Sequence, residues 1–281
     1  MKLPGKACGE SRPTFNGMMY SQKVLLYGVL CLFFGVPFGC RKAGANTTYA
    51  VVVGISDYEI SDYRTGDLRY ADQDARRFGE FLQSTAGGKV PSQNIKLLTN
   101  RAATKSAILK AMSLFKKASP HDRVVFYFSG HGMKGGFVPY DVSTNDPATV
   151  LTYQEVKARF KPSNASTKLC IADACLSGGM TARTAWKVPA SQTPPSSNVV
   201  LMLSSRSTQS SVESSRTRGG VFTFFLLAGL DGKADRDKNQ IVTIRELYDY
   251  LAPRIRRNTP NHQAPLFYGK FSDELSLSIL R

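Results

Sequence analysis

One histidine and one cysteine of this sequence each follow directly after an apolar run. His131 lies in the stretch Ser-Gly-His-Gly, just beyond the run 123–128. Cys175 lies in Asp-Ala-Cys-Leu-Ser-Gly, just beyond the run 168–172 and 44 positions after the histidine. An imidazole can take the proton of a thiol, and the thiolate so formed can attack an amide carbonyl. The two residues are therefore candidates for a nucleophilic pair.

The two apolar runs belong to a chain in which predicted strands and helices alternate. Apolar runs rich in β-branched residues predict strands at 49–55, 94–98, 123–128, 168–172 and 198–203. Apolar residues at helical spacing predict helices at 68–82, 104–115, 153–160, 222–230 and 243–255. Such alternation implies a mostly parallel sheet covered on both faces. Chemistry collects beyond the carboxyl ends of parallel strands, so we expect His131 and Cys175 at one edge of the sheet.

The flanks of both residues resemble the motifs of the caspase-like cysteine peptidases, in particular those of the metacaspases and their bacterial relatives. Ser-Gly-His-Gly after one strand and Asp-Ala-Cys-x-Ser-Gly after a later strand carry the resemblance. Similar segments at 68–75, 220–224 and 246–251 extend it over about residues 49–270. Leu176 departs from the metacaspase pattern, in which a histidine often follows the cysteine. The resemblance implies an α/β fold, the caspase-haemoglobinase-like three-layer sandwich, with a mostly parallel sheet and helices on both faces.

The same resemblance implies a role for each residue of the pair. Cys175 would be the nucleophile, and His131 would accept its proton and later protonate the leaving amine. The backbone N–H groups of Gly132 and Cys175 would form the oxyanion hole. The family is commonly described as using a dyad, and the sequence offers no third residue that would orient the imidazole.

The resemblance also implies the charge of the specificity pocket. Asp74, Ser129 and Asp173 match pocket positions of the metacaspase-like proteins, which cleave after Arg or Lys. Two carboxylates can hold one guanidinium or ammonium group. The predicted partners are therefore protein or peptide substrates with Arg or Lys at the cleavage site. The alternative for Asp74 is a purely structural role, as a helix cap or an ion pair with Arg77.

Two stretches of the sequence are considered as calcium-binding sites. Many metacaspases bind calcium through an acidic residue several positions beyond the nucleophile, but the stretch 176–182 contains no acid. A second stretch has the ligand spacing of an EF-hand loop. Its candidate metal ligands are Asp235, Asp237, Asn239 and Glu246. Gln240 stands where that loop needs a glycine, and a turn followed by a helix cap explains the same residues. We expect no cofactor and keep calcium as the alternative.

The composition is typical of a globular protein with a basic surface. Of 281 residues, 42% are hydrophobic and 21% charged, which excludes a disordered chain and a coiled coil. Lys and Arg outnumber Asp and Glu by 37 to 21, but the basic residues are scattered and accompany no nucleic-acid-binding motif. We therefore expect no nucleic-acid partner. The five cysteines match neither a disulfide framework nor a zinc site, and Cys170 is expected to be a buried apolar residue.

Residues 1–40 are predicted to be a signal peptide or lipoprotein leader. Their apolar run 24–36 follows Lys23 and is shorter than a membrane-spanning helix requires. The Gly-Cys pair ending at Cys40 resembles a bacterial lipoprotein processing site, and the rival interpretation is an uncleaved N-terminal anchor. The protein is therefore expected to be exported, either as a lipoprotein anchored in the membrane or as a periplasmic protein.

Residues 41–48 are predicted to be a linker and 49–281 the caspase-like peptidase domain. The stretch 179–197 contains prolines, serines and basic residues, and lies where caspases carry a linker that is cut during processing. Self-cleavage after Arg183 or Lys187 is the resulting hypothesis.

The predicted function is that of a cysteine-type endopeptidase that cleaves after Arg or Lys. One alternative is a catalytically inactive caspase-like module that binds partners through the same cleft. A second alternative is a calcium-sensing module centred on 235–246.

Overall fold

The computed structural model describes seven stretches of the chain, all within the unit formed by residues 43–281. They are residues 46–59, 66–133, 135–143, 145–174, 199–204, 213–259 and 263–281. Their strands are β1 (Thr48–Gly54), β2 (Ile95–Thr99), β3 (Arg123–Ser129), β4 (Gly132–Met133), β5 (Gly136–Phe137), β6 (Leu151–Thr152), β7 (Thr167–Asp173), β8 (Val199–Leu203), β9 (Glu213–Ser214), β10 (Gly219–Gly220), β11 (Ile241–Thr243), β12 (Leu266–Tyr268) and β13 (Ser276–Ile279). Their α-helices are α1 (Ala71–Gln83), α2 (Lys105–Ala111), α3 (Tyr153–Phe160), α4 (Val221–Ala228) and α5 (Ile244–Asn258).

Six of these strands form the central sheet, in the order β12-β8-β7-β3-β1-β2. All neighbours in it are parallel except β12, which runs antiparallel to β8 at one edge. The register sets Ser129, the last residue of β3, beside Gly54 of β1 and Asp173 of β7. The carboxyl ends of three central strands therefore lie level at one edge, where both predicted catalytic motifs begin.

Both faces of the central strands are buried because the middle of each strand is an apolar run, with charged and polar residues confined to the strand ends. In β1, Val51 belongs to the core on one face and Val52 to the core on the other. Helices α2 and α3, with the 3₁₀ helix Met112–Lys117 that follows α2, pack on the first face, and α1, α4 and α5 pack on the second. This arrangement confirms the predicted α/β three-layer sandwich.

Two of the helices begin with a reciprocal cap that the sequence encodes locally. In α3 the Thr152 hydroxyl accepts from the N–H of Glu155, and the Glu155 carboxylate accepts from the N–H of Thr152. Thr243 and Glu246 make the same pair of bonds at the start of α5. Each cap satisfies two N–H groups that a helix terminus leaves without an internal partner, so both helices start close to their predicted positions.

Other boundaries differ from the prediction. Helix α1 begins at Ala71 rather than at 68, and the N–H groups of Arg69 and Tyr70 instead donate to the carboxylate of Glu213. Helix α4 ends at Ala228 rather than at 230, and the chain continues in a wider turn. The antiparallel strand β12 and the short strands outside the central sheet were not predicted, because two to four residues are too few to show a periodicity.

The predicted leader and linker lie almost entirely outside the described residues, which begin at residue 46. Among the helices that are described, none combines the length and the apolar character needed to cross a bilayer. Export and lipid attachment therefore stay predictions from the sequence.

Candidate active site

The predicted catalytic histidine leaves the sheet through a tightly packed glycine. Gly130 follows Ser129, the end of β3, and its N–H donates to the carbonyl oxygen of Asp173 at 3.2 Å. A Cβ atom on Gly130 would lie 2.8 Å from the hydroxyl of Tyr58 and 3.1 Å from the ring of Phe128. A larger residue would push both neighbouring rings aside, so the close packing favours a glycine before the histidine.

His131 is half-buried and is held by three hydrogen bonds, one of which its carbonyl oxygen accepts from the N–H of Val138 at 3.0 Å. Its backbone N–H donates to Tyr58 Oη at 2.8 Å, and the centroids of the two rings lie 5.1 Å apart. Its Nε2 lies 2.9 Å from the carbonyl oxygen of Gly66. Because a carbonyl oxygen only accepts, Nε2 carries a proton, and Nδ1 is the nitrogen of the neutral ring that can take another. The imidazole is therefore oriented to act as a base at Nδ1.

The predicted nucleophile Cys175 lies outside the described residues, as does the loop 179–197 with Arg183 and Lys187. The chain is described up to Ala174, which is buried and whose carbonyl oxygen accepts from Ser204 Oγ at 3.3 Å. Gly132, the other predicted oxyanion-hole residue, pairs with Phe137 in the small sheet of β4, β5 and β6. The described residues thus define the histidine side of the pair and the strand that leads to the cysteine.

Two buried carboxylates lie beside this edge of the sheet. Asp74 is 1% exposed, and its Oδ2 accepts from the N–H of Gly220 at 2.7 Å. Asp173 is 4% exposed, and its Oδ2 accepts from both the N–H and the hydroxyl of Thr223, at 3.1 and 2.8 Å. A Cβ atom on Gly220 would collide with the carboxylate of Asp173 and lie 3.1 Å from Oδ2 of Asp74. The structure therefore brings two of the predicted pocket residues together around one glycine.

The third predicted pocket residue, Ser129, is buried at the end of β3, level with Asp173 on the neighbouring strand. Below it on the same strand, the hydroxyl of Tyr127 lies 2.6 Å from that of Thr223. Thr223 gives its own proton to Asp173, so Tyr127 is the donor of the pair. Burial, together with the negative charges of Asp74 and Asp173, raises the pKa of Tyr127 well above its ordinary value and keeps its proton in place.

Burial and mutual repulsion make it unfavourable for both carboxyl groups to be ionised. Burial raises the pKa of Asp74 to about 8, with repulsion from Asp173 as the second cause and Glu213 as a smaller one. The N–H of Gly220 and the guanidinium of Arg77 oppose that rise in the pKa. At neutral pH, burial and the repulsion from Asp173 therefore favour the protonated form of Asp74.

Arg77 makes the ion pair that the sequence left open as the alternative for Asp74. Its Nη1 lies 3.5 Å from Asp74 Oδ1 and donates to the carbonyl oxygen of Arg218 at 2.7 Å. The same carboxyl group thus faces Asp173 through Gly220 and contacts Arg77 on another side. The two interpretations of Asp74 are compatible in one structure.

The loop 235–246, called the acidic loop below, brings together three of its four candidate metal ligands. Oxygen atoms of Asp235, Asp237 and Glu246 lie within 4.8 Å of one another. Most of the oxygens bind within the loop: Glu246 accepts from the N–H groups of Arg236 and Thr243, and Asp237 accepts from the N–H and the amide of Asn239. Asp235 Oδ1 is buried without a hydrogen-bond partner. The turn-and-cap interpretation accounts for the other contacts, and calcium binding here stays a prediction.

Sequence reasoning missed three groups of this region. They are the hydroxyl of Tyr58, the carbonyl oxygen of Gly66 and the side chain of Thr223. A backbone carbonyl leaves no mark on the sequence, and a tyrosine 73 positions before the histidine has no pattern that would connect the two. Cys170 is buried as expected, and burial raises the pKa of its thiol to about 12, which makes it an unreactive cysteine.

Comparison with known proteins agrees with this fold. The profile of the family described as Caspase domain matches residues 47–276, and the chain belongs to this family of peptidases. A protein named Probable protease from a Desulfuromonadales bacterium is 26% identical over 245 residues, which cover 74% of this chain and 30% of that protein. Metacaspase-1A of Aspergillus oryzae is 33% identical over 98 residues, or 32% of this chain and 22% of that protein.

These relatives are much longer than the region they share with this chain, which spans less than a third of either. Two solved structures have a similar fold. Protein GSU0716 from Geobacter sulfurreducens has a TM-score of 0.57 at 18% identity, covering 84% of this chain and all of that one. Caspase-1 from Spodoptera frugiperda has a TM-score of 0.58 at 14% identity, covering 80% and 87%. The comparisons support a caspase-like cysteine peptidase in general terms.

Proposed function

We propose that this protein is a cysteine endopeptidase that cleaves after Arg or Lys, with Cys175 as nucleophile and His131 as base. The observation that carries the proposal is the pair of buried carboxylates, Asp74 and Asp173, at the edge of the sheet from which His131 emerges. An anionic pocket beside a histidine and a strand that leads to a cysteine is suited to a cationic peptide side chain.

In this mechanism the thiol proton of Cys175 moves to Nδ1 of His131, because Nε2 is already committed to Gly66. The thiolate attacks the carbonyl carbon of the scissile bond, and the N–H groups of Gly132 and Cys175 bind the oxyanion. The imidazolium then returns the proton to the leaving amine. Water attacks the resulting thioester, His131 takes a proton from that water, and the free acid and the thiol are regenerated.

The pocket chemistry follows from the charge of the carboxylate pair. A substrate guanidinium or ammonium near both oxygens favours the ionised form of Asp74 and offsets its repulsion from Asp173. A substrate aspartate would instead add a third negative charge. The discrimination between basic and acidic side chains is therefore expected to be large.

The experiment compares hydrolysis of fluorogenic peptides that end in Arg, Lys or Asp by the full chain, by Cys175→Ala and by Cys170→Ala. We expect hydrolysis after Arg and Lys that Cys175→Ala abolishes and Cys170→Ala retains, since the second thiol is buried. Cleavage after Asp would refute the pocket assignment. Absence of hydrolysis together with retained peptide binding would favour the inactive module instead.

The same pocket preference supports self-cleavage after Arg183 or Lys187, both in the stretch 179–197. We expect active protein to accumulate two fragments on a denaturing gel, and Cys175→Ala protein to stay intact. Active enzyme that remains a single chain would contradict this.

We also propose that residues 1–40 attach the protein to a membrane or direct its export. The apolar run 24–36 after Lys23 and the Gly-Cys pair ending at Cys40 support this proposal. Mass spectrometry of the N-terminus of protein purified from membranes would distinguish a lipidated Cys40 from an uncleaved leader.

A further inference from the structure

The helical layer on one face of the sheet is more basic than the sequence suggested. Helix α2, the 3₁₀ helix Met112–Lys117 and α3 bury apolar side chains against the same core, with the rings of Phe115 and Phe160 5.2 Å apart. Their polar sides therefore form one continuous outer surface. Together, 105–117 and 153–161 contain seven basic residues and one acidic residue.

The acidic contacts of this layer gather at Lys105, whose backbone N–H donates to Asp141 Oδ1 at 2.8 Å. The acidic residue of the layer, Glu155, is paired with Lys105 at 2.9 Å. The nearby Asp122 is buried, and its carboxylate accepts from the N–H of Thr47 and from the N–H and hydroxyl of Ser119. Burial and the positive charge of Lys161 lower the pKa of Lys157, as expected where like charges crowd together. The basic surface, as we call it, consists of Lys110, Lys116, Lys117 and Lys161, which are all exposed.

The basic surface is concentrated at the edge of the sheet opposite His131. Lys116 and Lys117 end the 3₁₀ helix that leads to the amino end of β3. Helix α3 ends beside the amino end of β7, because Lys168 Nζ donates to the carbonyl oxygen of Phe160 at 3.0 Å. Lys161 follows directly, so the basic ends of both helices meet at the amino edge.

The first described residues lie at this same amino edge of the sheet. The N–H of Thr47 donates to Asp122 Oδ1, and its carbonyl oxygen accepts from the N–H of Arg123, both at 2.9 Å. Ten positions separate the end of the apolar run at Val36 from Asn46, a length of chain that spans at most about 35 Å. Any membrane attachment through residues 24–40 would thus hold the basic surface within reach of the lipid headgroups.

We propose that the basic surface binds the anionic phospholipid surface of that membrane, with the carboxyl edge and His131 facing away from it. Each lysine near an anionic bilayer adds to the attraction, and several on one face favour a single orientation. A nucleic acid would offer similar phosphates, but the short tether between the apolar run and the basic surface favours lipid. The proposal uses the proposed membrane attachment and is independent of peptidase activity.

Lysine acetylation of the full chain tests this orientation on vesicles of phosphatidylcholine alone and of phosphatidylcholine with phosphatidylglycerol at 7:3. With anionic lipid we expect acetylation of Lys116, Lys117 and Lys161 to slow at least about fivefold, while Lys105, at the carboxyl edge where α2 begins, reacts unchanged. Attachment without this protection on anionic vesicles would overturn the proposal. Equal protection of all four lysines would overturn it as well.

A charge-reversed pair of variants provides the second test. One variant changes Lys110, Lys116, Lys117 and Lys161 to Glu, and the matched control changes Arg69, Arg76, Arg101 and Arg216, which are also exposed but lie at the carboxyl edge, to Glu. The quantity compared is the binding to vesicles with phosphatidylglycerol in excess of the binding to phosphatidylcholine vesicles. We expect this excess to fall about tenfold or more in the first variant and less than about twofold in the control. If the first variant does not fold, the same four changes to Gln replace it. Equal losses, or loss of duplex DNA binding with vesicle binding retained, would refute the proposal.

Discussion

The carboxyl groups of Asp74 and Asp173 meet at one residue, Gly220. Its N–H donates to Asp74 at 2.7 Å, and its missing Cβ leaves the space that the Asp173 carboxylate occupies. Asp74 belongs to α1 and Asp173 to the end of β7, 99 positions apart in sequence. Two like charges this buried cannot both be ionised at low cost unless a cation joins them.

The stability of the protein should therefore fall as the pH rises from about 4 to about 8. In the unfolded chain Asp74 loses its proton near its ordinary pKa of 3.8, whereas in the folded protein the pKa is about 8. Between those values the folded state holds one more proton than the unfolded state, so raising the pH favours unfolding. Integrated over the window, the effect is on the order of 5 kcal/mol.

Urea unfolding of wild-type protein and Asp74→Asn at pH 5, 6.5 and 8 measures this effect. Asparagine keeps an oxygen for the Gly220 N–H and does not titrate, so we expect the variant to gain stability relative to wild type at pH 8. Identical pH slopes for the two proteins would mean that Asp74 is ionised throughout.

Replacing Gly220 by Ala should destabilise the protein and impair cleavage after basic residues. The added methyl group collides with the Asp173 carboxylate and crowds Asp74, at a cost of about 2–3 kcal/mol. Gly79→Ala is the matched control, because this glycine lies within α1 and its Cβ would meet nothing within 4 Å. We expect the control to be unchanged or stabilised by about 0.5–1 kcal/mol in thermal or urea unfolding. A Gly220→Ala variant as stable as Gly79→Ala would show that the loop moves away freely.

Tyr58→Phe should lower kcat with little change in KM. It removes the hydroxyl that accepts from the His131 N–H while keeping the ring beside the imidazole, so the histidine loses one of its hydrogen bonds. We expect kcat to fall about tenfold, as for a misplaced catalytic group. The control, Tyr153→Phe, loses a hydrogen bond to the carbonyl oxygen of Met133 without touching His131. Equal kcat values for the two variants would count against a positioning role for Tyr58.

Variants of the caps of α3 and α5 distinguish the two interpretations of the acidic loop, a calcium site or a turn followed by a helix cap. Thr243→Ala and Thr152→Ala should each lower the free energy of unfolding by about 1 kcal/mol in a chelator, because each removes a helix cap. A rise in Tm on adding calcium that Thr152→Ala keeps and Glu246→Gln loses would establish the calcium alternative. The same Tm with calcium, magnesium or chelator would leave the turn and cap as the whole role of the loop.

Local patterns in the sequence were sufficient for most of the fold. The runs at 49–55, 124–128 and 169–172 contain no charged residue, and only a strand covered on both faces buries all of them. Strand β12 was not predicted because three residues are too few to show a periodicity. The start of α1 was misplaced because the N–H groups just before it donate to the carboxylate of Glu213. Short elements depend on distant partners, which a local pattern does not contain.

The sequence by itself determined the two catalytic motifs and the acidic residues that resemble a pocket, since these are residue types at characteristic places on strands and helices. Only the tertiary structure decided that Nδ1 of His131 is the free nitrogen and that Asp74 faces Asp173 across Gly220 while contacting Arg77. It also decided that scattered lysines gather on one face. Hydrogen bonds to backbone carbonyls, shared burial and charge clustering all depend on distances between residues far apart in the chain, and those distances exist only once the sheet and its helices have packed.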